Sequence, residues 1–194
     1  MKTRNKTLRR SCICALFAAL LCVLSPVAIP IGTIPISLSF LVVLFCASML
    51  GAGGAVISVL IYLVLGALGL PVFAGGMGGV GVLVGPTGGY IWSYLPISAV
   101  CGFLYHRVWI NHRSGTVLRG VAVGALGMLI CYLFGTVQYA AVANVSIWAA
   151  ILVCVFPFLL FDLFKIVAAA LLSEHLLRIA SLRAVMLELF SKKR

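Results

Sequence analysis

The sequence predicts an all-α integral membrane protein of six transmembrane helices, with both termini cytoplasmic and a glycine-rich outer loop between the third and fourth helices. Three observations predict this. Of the 194 residues, 64% are hydrophobic and only 9% are charged, and the mean hydropathy is +1.26. Soluble chains carry roughly a quarter charged residues, so water is not the main solvent for this one. The apolar residues fall into six runs, and the basic residues fall between alternate runs.

The runs cover approximately 9–25, 38–51, 53–69, 86–105, 117–137 and 147–172, lengths that suit helices in a bilayer. The second and third are short, and only Gly51-Ala52-Gly53-Gly54 separates them. A tight turn is expected there, because glycine lets the backbone bend without side-chain bulk. Segments 25–37, 70–85 and 138–146 contain no Lys or Arg, whereas the N-terminus, the 106–119 loop and the C-terminal tail hold 13 of the 14 basic residues. Cytoplasmic loops collect Lys and Arg, and an even number of spans puts those three basic segments on one side. Residues 1–25 also have the basic start and apolar core of a signal peptide. Removing them leaves five spans and spoils the charge alternation.

The chain reads as a single membrane domain over 1–194, with a basic arm at 1–8 and an amphipathic tail at about 174–194. In the tail, Leu176, Ile179, Leu182, Met186, Leu189 and Phe190 recur at helical spacing among basic residues, as in a helix lying on the cytoplasmic surface or a cytoplasmic extension of the last span. The net charge of +11 sits at the two ends and in the central loop. No aromatic-interleaved basic face occurs, which argues against nucleic acid.

Several motifs reduce to bland readings. Gly76-Met77-Gly78-Gly79-Val80-Gly81 fits a dinucleotide fingerprint by letter, but that fingerprint has meaning only between a strand and a helix. Gly85-Pro86-Thr87-Gly88-Gly89 lacks the Gly-Lys-Ser/Thr ending of an ATP-binding loop. The seven cysteines show no metal spacing and read as small apolar side chains. No metal, no cofactor and no catalytic residue is expected. His106, His112 and His175 read as surface histidines.

Two features resist bland readings. Eight glycines lie between residues 75 and 89, yet Phe73, Val80, Val82, Leu83 and Val84 make the segment too apolar for a solvated loop. Irregular backbone at membrane depth survives only when buried in protein or lining a cavity. The second feature is Asp162 with Lys165. Asp162 is the one acidic residue deep in a span, and a charge at a helix centre costs about 2.5–3.5 kcal/mol. At i and i+3 the two share a helix face. A carboxylate accepts N–H groups and an ammonium donates to carbonyls, so together they suit a neutral polar group such as a urea or amide. The bland alternative is an ion pair that only stitches the bundle. Pro157, one turn earlier, is a place for a kink. If the last span starts at 147, Asp162 lies about 22 Å along it, deep for a site beneath an outer loop, so either the span begins nearer 152 or the pocket is deep.

Gly69-Leu70-Pro71-Val72-Phe73-Ala74-Gly75-Gly76, running into Gly85-Pro86-Thr87-Gly88-Gly89-Tyr90, together with Phe161-Asp162-Leu163-Phe164-Lys165 in the last span, resembles the BioY family of biotin-capturing components of energy-coupling-factor transporters. The resemblance implies a multi-pass protein of a bacterial cell membrane that takes up biotin and is not an enzyme. It implies that Asp162 and Lys165 hold the polar ureido end of biotin, that Tyr90, Gly78 and Gly79 line the pocket, and that Phe73 is an apolar wall. Ala15 and Ala19 match the surface by which such proteins dock on a transmembrane coupling subunit, which works with two ATP-binding subunits. Two positions depart from the family pattern: Met77, often polar, and Gln138, in a region that often carries Trp. The alternatives are the same architecture for a lipoate-like or thiamine-like vitamin, and a solo carrier driven by an ion gradient. A membrane enzyme is disfavoured, because no nucleophile–base pair is visible.

Overall fold

The structure, a computed structural model, describes residues 2–31, 34–111 and 116–190. His112 and the basic residues Arg113, Lys192, Lys193 and Arg194 lie outside them. The elements are α1 (Lys2–Leu24), β1 (Ala28–Ile31), β2 (Ile34–Ser37), α2 (Ser39–Ala67), a 3-10 turn (Ala74–Gly76), α3 (Val80–Val84), α4 (Gly88–Asn111), α5 (Thr116–Ala143), α6 (Ile147–Cys154), α7 (Leu159–Arg178) and α8 (Ala180–Phe190). Among the described residues, Asn5–Leu24, Ser39–Ala67 and Val117–Ala143 are long and apolar enough to cross a membrane, and the bent pair α6–α7 makes a fourth such unit.

α2 is not one rod. Gly51 has φ 62° and ψ −177°, a region that only glycine occupies at low cost. Ser39 and Tyr62 line the same cavity, whereas a straight helix would hold them about 34 Å apart. The helix therefore folds back at Gly51 into two antiparallel arms. The first arm is buried along almost its whole length.

One expectation of the fold class is corrected. The fold is not purely α: segment 25–37 contains an antiparallel hairpin, with Ala28 opposite Ser37 and Ile31 opposite Ile34. Ile34 and Ile36 point into the protein and alternate with half-exposed Pro35 and Ser37, the period of a strand with one buried face. The expected span 147–172 bends where Pro157 offers a place for a kink. α6 and α7 meet at 55° across residues 155–158, where Pro157 can donate no backbone hydrogen bond. The tail continues α7 to Arg178 and then forms the separate helix α8. The Arg10 guanidinium lies 5.4 Å over the Phe190 ring, and Lys6 pairs with Glu188 at 2.7 Å. α8 is thus folded across the start of α1 and the α2 reversal.

The core is formed mainly by the two arms of α2 against α1 and α4, with Leu21, Leu44, Leu50, Tyr62 and Ile97 fully buried. Gly120 and Gly124 let α5 approach Ala170 and Ile166 of α7, so this small-residue pair serves packing within the chain. His106 is half-buried against Gly51 rather than on the surface, while His175 is exposed.

Candidate functional site

The cavity lies where the hairpin, both arms of α2, the glycine-rich segment and α7 converge. Ile34 and Ser37 come from β2, Ser39 and Tyr62 from α2, Phe73 and Met77 from the glycine-rich segment, Tyr90 and Tyr94 from α4, and Asp162 and Lys165 from α7. Most of this wall is aromatic or aliphatic. Tyr62 meets Phe73 edge to face at 5.5 Å and 80°, and its ring lies 6.5 Å from that of Tyr94. Such a wall suits a ligand with a substantial apolar body.

The polar end is built on α7. The break before Leu159 starts a new helix, so Asp162 occupies its first turn, and its N–H donates to the Phe158 carbonyl at 2.8 Å. A negative charge in a first turn is favoured by the helix dipole. Lys165 Nζ donates to Asp162 Oδ1 at 2.8 Å, and the Tyr132 hydroxyl donates to Asp162 Oδ2 at 2.8 Å. The two side chains are only 9% and 12% exposed. Each carboxylate oxygen can accept a second hydrogen bond, and the ammonium has further N–H groups to give. The pair is therefore an internal ion pair and also a donor–acceptor surface on the cavity.

The structure brings Asp162, Lys165, Tyr90 and Phe73 together around one cavity. Gly78 and Gly79 do not contribute to its lining. Gly78 lies against the Leu70 carbonyl, and the Gly79 N–H donates to Gly66 O at 2.7 Å. They shape the segment that carries Phe73 and Met77. The Tyr90 hydroxyl donates to the Cys154 carbonyl at 3.0 Å, and its ring covers Gly135. Ala15 and Ala19 are exposed on α1, opposite the buried Cys14, Phe17, Ala18 and Leu21.

Gln138 stands outside the cavity and holds the glycine-rich segment. Its Nε2 donates to Leu83 O at 2.9 Å and to Gly85 O at 2.8 Å, while Trp92 Nε1 reaches Leu83 O at 3.1 Å. Sequence reasoning missed this clamp, the β2 wall and Tyr132. Alternating Ile residues around a glycine between 28 and 37 were the available signal for the hairpin. A tyrosine inside an apolar helix was the signal for Tyr132, because a buried hydroxyl needs a partner.

Comparison with known proteins starts with the family model described as the BioY family, which matches residues 1–181. The chain belongs to the BioY family. It is 37% identical over 161 residues to the biotin transporter BioY of Thermotoga maritima, covering 83% of this chain and 91% of that one. It is 36% identical over 179 residues to the biotin transporter BioY of Rhodobacter capsulatus, covering 86% and 92%. With the biotin transporter BioY2 of Lactococcus lactis subsp. cremoris it shares 32% over 178 residues, covering 92% and 95%. A solved structure of the S-component for biotin from an ECF-type ABC transporter matches with a TM-score of 0.82 and 25% identity, over 90% of this chain and 93% of that one. Within this BioY chain, the two positions expected to differ from the family pattern have definite places: Met77 on the cavity wall and Gln138 on the clamp that holds Leu83 and Gly85.

Proposed function

We propose that this protein captures biotin at the cytoplasmic membrane as the S component of an energy-coupling-factor transporter. The observation that carries the reading is the buried Asp162–Lys165 pair at the end of an aromatic cavity, in a chain that matches an S-component for biotin along nine-tenths of its length. The protein is a transport subunit and not an enzyme. A ureido ring offers N–H donors to the Asp162 carboxylate and a carbonyl oxygen to the Lys165 ammonium. Tyr90 and Phe73 flank the apolar body of the ligand. Gly78 and Gly79 set the course of the segment above it.

In this reading the chain crosses a bacterial inner membrane six times, each arm of α2 being one crossing. Both termini face the cytoplasm, and the glycine-rich loop between the third and fourth crossings faces outward. The absence of Lys and Arg from the outer segments supports that orientation. Ala15 and Ala19 form a flat strip on α1 for a transmembrane coupling subunit, since small residues let helices approach closely in a bilayer. Two ATP-binding subunits complete the transporter and supply the energy. No cofactor is required.

Labelled-biotin binding to the purified protein, with lipoate and thiamine as competitors, tests the substrate. Saturable binding that only unlabelled biotin displaces is the expected result. Displacement by another vitamin at lower concentration would reassign the substrate.

A further inference from the structure

Tyr132 does not line the cavity, yet it holds the group that does the recognising. Its ring is buried in a second apolar cluster with Ile34 and Ile36 of β2, Cys154 of α6 and Phe158 at the α6–α7 break. Tyr132 has only two side-chain torsions, and this packing aims its hydroxyl. From α5 it donates to Asp162 Oδ2 on α7.

We propose that Tyr132 is a positioning residue for ligand capture, acting through Asp162. The inference rests on the functional reading above. The last torsion of an aspartate is broad and roughly two-fold. Lys165 alone, one turn away on the same helix, is a flexible tether, and it holds only Oδ1. A ligand carbonyl that draws the ammonium toward itself weakens that tether when Asp162 must accept the ligand's N–H. Tyr132 holds the other oxygen from a different helix, so the carboxylate keeps its plane while Lys165 is shared. It also satisfies part of a buried charge whose unmet hydrogen bonds would be costly.

The chain provides an unusually direct test, because Asp162 is its only aspartate. Protein grown with carboxyl-13C aspartate reports one side-chain resonance, assigned without mutation. Tyr132→Phe keeps the ring and removes only the donor. The expected result is a shifted Asp162 resonance, retained helical circular dichroism and a biotin affinity lowered roughly ten- to hundredfold, the range for a hydrogen bond to a charged group. Tyr132→Met, which fills the space without a donor, is the second variant should the first fail to fold. An affinity within twofold of wild type overturns the proposal. So does a loss of affinity with an unmoved Asp162 resonance, which assigns Tyr132 to packing alone. Wild-type protein that binds no biotin overturns the functional reading and this inference with it.

Discussion

The ring of Phe73 occupies the space in which Gly66 would carry a side chain. Phe73 is fully buried there, edge-on to Tyr62, and so the second arm of α2 sets how far the glycine-rich segment reaches over the cavity. Overpacking such a contact costs about 1–3 kcal/mol. Gly66→Ala is expected to displace Phe73 and lower biotin affinity by about one order of magnitude. Gly81→Ala, at a position with open space around it, is expected to leave affinity unchanged. Equilibrium binding of labelled biotin to both variants checks this.

Asp162 and Lys165 are expected to separate stability from binding. Removing one partner of a buried pair leaves the other charge uncompensated, at about 3–5 kcal/mol. Asp162→Asn and Lys165→Ala should each lower the thermal midpoint in detergent and abolish measurable biotin binding. The double variant Asp162→Leu with Lys165→Met should recover most of the midpoint and none of the binding. Recovery of binding in the double variant would reduce the pair to a stitch in the bundle.

Gln138→Leu removes the side-chain donor of Gly85 O and one of the two donors of Leu83 O. At about 1 kcal/mol net per hydrogen bond, local opening of the segment should become roughly fivefold or more frequent. Faster amide exchange in residues 80–88 and faster dissociation of labelled biotin are expected together. Unchanged exchange in those amides would show that Trp92 suffices.

Gly51→Ala forces a side chain into a backbone region that costs about 1–3 kcal/mol, and its Cβ would stand 2.9 Å from His106 Nδ1. The variant should melt earlier and be recovered in lower yield. His106→Ala should restore the steric part and leave the backbone part. Because Gly51 is absent from the cavity wall, the folded fraction should bind biotin normally, as titration with active-fraction correction would show.

The sequence by itself determined the solvent, the approximate runs, the reversal at Gly51 and the joint location of Asp162 and Lys165. Those properties are local: composition decides what a segment can dissolve in, glycine decides where a backbone can turn, and an i, i+3 spacing decides a shared helix face. The tertiary structure alone decided which partners meet. Tyr132 reaches Asp162 across 30 positions and Gln138 reaches Gly85 across 53. A helix that is apolar all round carries no stripe to show which face is turned inward, so neither contact was written into a periodicity. The hairpin wall likewise depends on packing against neighbours, whereas the 55° break before α7 falls where Pro157 already marks a place for a kink. Together they turn a costly pair of charges into the polar end of a built cavity.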